Sequence, residues 1–265
     1  MLRDAAFWST LIALLALVLS QLPPVREILK PRELRIVVPE ALFLYHFMGN
    51  LQMSAFLTLN NVGGRGITVQ KIECVLIHEE GSPRYRLPAQ TYWPRAQSGS
   101  GQELFIGWVP LKPEEHWAET VHFYKFWSVQ DEEDSAAIIS RIRNDIYAKR
   151  ALLEPGLVNK PVDADEKLVK EAKDFFEKRF TLAKGNYKVL IAAISEKSEA
   201  VSVRGFDFTL YDHHLRTLRS IEDDYKTGAG IYFNSEDPLK SGVNFRLRPI
   251  DDAEAKRDYA RLAAD

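Results

Sequence analysis

The first pattern along the chain is an absence of polar positions. Ala5 to Leu22 reads AAFWSTLIALLALVLSQL, eighteen residues without a charge. As a helix it spans roughly 27 Å, close to the ~30 Å of a bilayer's hydrocarbon core. Its nine Leu, Ile, Phe and Val side chains favour insertion by about −4 kcal/mol in all. Trp8 stands where an interfacial aromatic belongs, and Pro23-Pro24 stop the helix. The expectation is a transmembrane helix over 5–22, followed by a juxtamembrane linker over 23–33. A cleaved signal peptide is the rival reading, but Arg3 is the only basic residue ahead of the apolar run and Asp4 offsets it. Arg26, Lys30, Arg32 and Arg35 follow the run, so the charge count places the remaining chain on the cytoplasmic side of a single-pass membrane protein.

Beyond residue 33 the period changes to two. Leu51, Met53, Ala55, Leu57 and Leu59 share one face, while Gln52, Ser54, Phe56 and Thr58 take the other, as in a half-buried antiparallel strand. Asn60 to Gly66 supplies residues tolerant of positive φ for a turn. The strand Ile67–His78 changes phase between Val69 and Ile72, which predicts either a bulge near Gln70-Lys71 or a strand that changes sheets. Similar patterns predict strands at Leu34–Val38, Leu42–His46, Arg84–Thr91, Leu104–Val109, Glu119–Trp127, Asn186–Ser195, Val201–Tyr211, Gly230–Phe233 and Val243–Leu247.

Between them the period becomes helical. Ile138, Ile139, Ile142, Ile146 and Leu153 form one stripe, and Leu168, Val169, Ala172, Phe175, Phe176 and Phe180 form a second. Pro155-Gly156 separates the two, and Asp163 with Glu166 looks like a helix start. Residues 251–265 read as a short tail helix. The organisation expected is a β-sandwich over 34–127 and 186–250, carrying a helical insertion over 128–185. Two β domains bridged by helices is the alternative.

The stretch Leu57-Thr58-Leu59-Asn60-Asn61-Val62-Gly63-Gly64, with Ile67, Val69 and Ile72 after it, resembles a strand pair of immunoglobulin-like domains of the cell-adhesion-related or late-embryogenesis type. The resemblance covers about twenty residues. It implies a sandwich used for binding or scaffolding, and it carries over no functional residue. The fold class expected is therefore mainly β with an α insertion: a transmembrane helix plus an antiparallel immunoglobulin-like sandwich.

Composition adds limits. With 46% apolar and 27% charged residues, the chain has ordinary globular usage. A net charge of −2, with no basic stripe among aromatics, argues against nucleic acid as a partner. Cys74 is the one cysteine, which excludes an intrachain disulfide and a Cys-rich zinc site. Flanked by Ile72 and Leu76 in its own phase, it reads as a buried, inert thiol.

Candidate chemistry is sparse. Gly63-Gly64-Arg65-Gly66 lacks the following helix that a phosphate loop needs, and Gln97 to Gly101 lacks the spacing of a nucleophile elbow. Imidazole and carboxylate groups share one hairpin-sized segment in Asp212-His213-His214 and Glu222-Asp223-Asp224, so Asp212, His213, His214, Asp223 and Asp224 are the metal-ligand candidates, while His78-Glu79-Glu80 and His116 read as strand-end and corner polarity. Adjacent strand positions face opposite ways, so the two histidines could ligate together only from a loop. No catalytic set and no cofactor site is expected. The aromatic positions Tyr92-Trp93, Trp108, Trp117 and Phe123-Tyr124-Phe126-Trp127 exceed what one sheet face needs. If Tyr124 and Phe126 face outward, that strand presents an apolar patch to a partner protein. The function expected is that of a non-enzymatic, membrane-tethered binding or assembly subunit of a larger complex. The alternatives are a metal-dependent enzyme built on the histidine-acid segment and a lipid- or ligand-holding sandwich.

Overall fold

The computed structural model describes residues 2–21, 30–81, 83–94, 102–153, 161–196, 201–235, 237, 240 and 242–264. Most of the expected linker, Pro155-Gly156 and the Gln97 to Gly101 segment lie outside the described residues. The elements are α1 (Leu2–Gln21), β1 (Leu34–Val37), β2 (Ala41–Phe47), β3 (Asn50–Asn61), β4 (Ile67–His78), β5 (Arg84–Trp93), β6 (Leu104–Phe105), β7 (Val109–Leu111) and β8 (His116–Tyr124). Then come α2 (Val129–Ala151), α3 (Glu166–Glu177), β9 (Gly185–Ser195), β10 (Val201–Leu210), α4 (Asp212–Arg219) and a 3-10 helix (Ser220–Thr227). The chain ends with β11 (Val243–Arg246), β12 (Arg248–Pro249) and α5 (Asp252–Ala264).

The strands form one twelve-stranded antiparallel sheet in the order β11-β2-β3-β8-β5-β4-β9-β10-β12, with β1 on β3, β6 on β5 and β7 on β4. The sheet is continuous because β5 changes partners along its length. Arg84 to Pro88 pair with β4, and Ala89 to Trp93 pair with β8. The sheet curls until β1 approaches β10, where side chains take over from a ladder. Ser202 Oγ accepts from the Ile36 amide at 3.1 Å, and Arg204 Nε donates to the Ile36 carbonyl at 3.0 Å. The result is an almost closed barrel. This corrects the expected fold class, because a strand shared between two faces makes one sheet where an immunoglobulin-like sandwich has two.

The membrane anchor is corrected as well. Helix α1 forms over Leu2–Gln21. Among the described residues no helix is long and apolar enough to cross a membrane. The single-pass membrane localisation, and the cytoplasmic placement derived from it, fall with the anchor.

Alternation still explains the interior. On β3, Leu51, Met53, Ala55, Leu57 and Leu59 are all buried. The register of β4 against β9 shifts between Val69 and Lys71, where the phase slip predicts it. Helix α2 starts after Ser128, whose hydroxyl accepts from the Asp131 amide, and Asp131 and Glu132 complement the dipole of its first turn. The cap of α3 is Asp165, not Asp163: its side chain accepts from the Lys167 amide. Phe175, Phe176 and Phe180 on and after α3 are buried with the barrel's core cluster. On another face α5 covers Val75, Leu190, Ala192 and Val203 with Ala255 and Tyr259.

Two local expectations fail. Residues 212–227, for which the sequence pattern predicts no element, are helical. Gly230–Phe233, read as a strand, has a single bridge between Ala229 and Phe233.

Candidate functional site: an aromatic cleft on the barrel wall

The hairpin of β2 and β3 turns through only two residues, Met48 and Gly49, both at positive φ (46° and 89°). A two-residue turn of this hand matches strand twist and sets the register. Leu42 and Leu44 then point inward, while Phe43, Tyr45 and Phe47 point out.

Register carries that outer face across the sheet. Phe43 is opposite Ser54, Ser54 opposite His122, and His122 opposite Thr91. The last pairing depends on a shift in register between Ala89 and Thr91. The extra residue, Gln90, reverses the phase of the rest of β5 and brings Thr91 and Trp93 to the face that carries His122. Trp93 packs edge-on against the His122 ring at 4.6 Å between centroids.

The opposite wall comes from the segment after β10. Leu218 of α4, Ile221 of the 3-10 helix and residues 230–235 face the aromatic strand across a cleft of about 850 Å³. His46 ties the two walls together. Its Nε2 is 2.8 Å from the Leu218 carbonyl, and its Nδ1 accepts from the Gly49 amide at 3.3 Å. The Phe176 and Phe180 rings hold it on other sides. Burial lowers its pKa to about 4, and the nearby Arg219 charge adds to that against the hydrogen bond to Leu218.

A polar chain crosses the cleft floor. The Tyr45 hydroxyl is 3.0 Å from His122 Nδ1. With Tyr45 as donor, the ring proton is on Nε2, which faces Glu103 Oε1 at 3.9 Å. Thr91 Oγ1 donates to the other Glu103 oxygen at 3.0 Å. Burial lowers the pKa of His122 against the pull of Glu103, so the ring is neutral at neutral pH. Burial, followed by the Glu103 charge, raises that of Tyr45 and keeps its hydroxyl protonated. His122 is 4% exposed, and its Nε2 has no hydrogen-bond partner.

The sequence candidates lie elsewhere and do not converge. Asp212 pairs with Lys184 and Asp223 with Lys173, each at 3.6 Å. Asp224 accepts from Lys240 and Ser235. His213 stacks on Tyr211, and His214 Nδ1 accepts from the Tyr211 amide. Among the described residues no group of three or more His, Cys, Asp or Glu side chains is placed to hold a metal ion. Cys74 is fully buried, and burial raises its pKa far above the usual thiol range.

The sequence pattern singles out none of Tyr45, Thr91, Glu103 and His122 as a site residue. One signal was available: Phe43, Tyr45 and Phe47 put three aromatic rings on the side of a strand opposite Leu42 and Leu44, where a solvated face would carry polar residues.

No known protein family matches the chain, and no curated protein does. Among solved structures it is similar to a crystal structure of a protein from Bordetella pertussis provisionally named ApaA. The match is at 10% identity and a TM-score of 0.23, over 69% of this chain and 91% of that one. A likeness at that level carries no argument about either fold or activity.

Proposed function

We propose that this chain is a non-enzymatic binding protein, and that the cleft between the outer face of β2, β3 and β8 and residues 218–235 is its binding surface. The observation that supports this is the in-register row Phe43–Ser54–His122–Thr91, which lays an aromatic floor under a cavity of about 850 Å³. Ligand sites are concave, mostly apolar and carry a few placed polar groups, and their volumes run from roughly 300 to 1,000 Å³. Calorimetric titration of the full chain with 2-naphthol, a neutral planar probe, tests it. Saturable one-to-one binding is expected, weakened at least tenfold by Trp93→Ala and unaffected by Phe105→Ser outside the cleft. Lack of saturation, or equal binding by both variants, overturns it.

A second reading, binding of a partner protein, is supported by a separate observation. Phe105 and Trp108 are 77% and 72% exposed around β6 and β7, and Phe126 is 59% exposed beyond β8. Apolar side chains held in solvent suit a protein interface. Proteins co-purifying with the chain are expected to be lost from a Phe105→Ser/Trp108→Ser double variant; an unchanged set counts against this reading.

A further inference from the structure

Among the described residues, the carboxylate and ammonium groups that line the cleft are Glu103 and Lys240. They are not equivalent. Lys240 Nζ lies 2.7 Å from Asp224 Oδ1, so its charge is matched by a carboxylate outside the cleft lining. Among the described residues Glu103 has no such match. Among the described residues, the basic group beside it is the His122 ring at 3.9 Å, and that ring is neutral at neutral pH. Among the described residues its hydrogen-bond partner is the Thr91 hydroxyl, a neutral donor. The Glu103 side chain keeps 44% of its surface exposed, so the carboxylate is held in place yet open to the cleft.

Rings lead up to that charge. Phe43 stacks on Tyr45 at 5.3 Å, Tyr45 meets His122 through its hydroxyl, and Trp93 closes against His122 from the other side. Trp93 is itself half exposed, at 49%. Aromatic faces attract cations through the ring quadrupole, and the attraction strengthens with desolvation. Such a surface next to an unmatched carboxylate favours one class of guest over its neutral and anionic counterparts.

We infer that the cleft takes a small organic cation, an alkylated ammonium group seated against Tyr45 and Trp93 with its charge opposite Glu103. This rests on the cleft being the binding surface and names the class of ligand bound there. An anionic guest would meet the Glu103 charge, and a neutral one would leave that charge facing an uncompensated apolar wall.

Three compounds of the same bulk separate the possibilities: choline, its neutral isostere 3,3-dimethylbutan-1-ol, and 3,3-dimethylbutanoate. Calorimetry on the full chain is expected to show choline binding about tenfold tighter than the alcohol, with the carboxylate weakest. Glu103→Gln should remove the preference for choline while leaving the affinity for the alcohol within about twofold. Raising the ionic strength of the wild-type titration should weaken choline binding alone, which tests the charge without any substitution. If choline and the alcohol bind equally, or Glu103→Gln keeps the preference, the cation assignment is overturned while the cleft reading stands. If none of the three binds, the cation assignment is overturned, and the 2-naphthol titration alone decides whether the cleft reading stands.

Discussion

His46 Nε2 is 2.8 Å from the carbonyl oxygen of Leu218, and this contact joins the barrel wall to the helical segment that roofs the cleft. Because Nδ1 accepts from the Gly49 amide, the proton is on Nε2 and the ring is neutral. A second proton would put a donor against a donor.

That arrangement sets a pH dependence. The folded pKa of His46 is about 4, below the unfolded value of 6.5. Only the unfolded chain takes up the proton in the interval, so the stability His46 confers is present above about pH 6.5 and is lost as pH falls toward 4. The loss is on the order of 3 kcal/mol at most. Urea unfolding of the wild type and of His46→Leu across this range checks it. The difference between the two should change steeply between these limits; a flat difference would refute the assignment.

At the tip of the same hairpin, Gly49 has φ +89°, and an added Cβ would lie 2.7 Å from the Phe176 carbonyl oxygen. Backbone strain and a contact that close act together, so Gly49→Ala should destabilise the fold by about 1–3 kcal/mol or more. Chemical denaturation gives the figure, and weaker 2-naphthol binding is expected to accompany it because the turn sets the register of the aromatic floor.

Glu73 is 1% exposed and accepts a hydrogen bond from the Tyr259 hydroxyl under α5. Burial opposes its charge, but hydrogen bonds from Lys71 and Tyr259 and the charges of Lys71 and Arg86 outweigh it and hold its pKa below the ordinary 4.5. The stabilisation it gives is therefore full above about pH 4.5 and is lost as pH falls through the lower folded value. Tyr259→Phe should cost about 1–3 kcal/mol by leaving a buried carboxylate short of a donor. Amide exchange in α5 should quicken in that variant; unchanged protection would mean the helix is held by its apolar contacts alone.

Cys74 faces the barrel interior at 0% exposure, with its thiol held protonated by burial. Ellman's reagent should find no reactive thiol in the native chain and one per chain in denaturant. Labelling at native conditions at the rate of a free thiol would contradict the inward placement of β4.

The periodic parts of the chain were legible from sequence. Alternation on β3 comes from side chains pointing to opposite faces, and the slip in β4 marks its bulge because an extra residue must reverse that alternation. The stripes of α2 and α3 follow equally from helical period. The bulge at Gln90 left no such mark, since Ala89, Thr91 and Tyr92 fit a strand in either phase. Nor did the Met48-Gly49 turn, because a methionine at positive φ is tolerated only through its burial in the folded chain. The helical roof over 212–227 was hidden by its own composition: polar residues cover its exposed side, and only Leu218, Ile221 and Tyr225 are buried.

What the sequence determined by itself was local: which side chains face inward, which segments have a helical period, and that Cys74 has no intrachain partner. These depend on spacings of a few residues. The tertiary structure alone decided that one sheet closes on itself, because closure depends on β5 exchanging β4 for β8 along its length. It also decided that Tyr45, Glu103 and His122 share a cleft, with Thr91 holding Glu103 there. Those residues span nearly eighty positions, and only cross-strand register, a property of paired backbones rather than of any one segment, brings them within hydrogen-bonding reach.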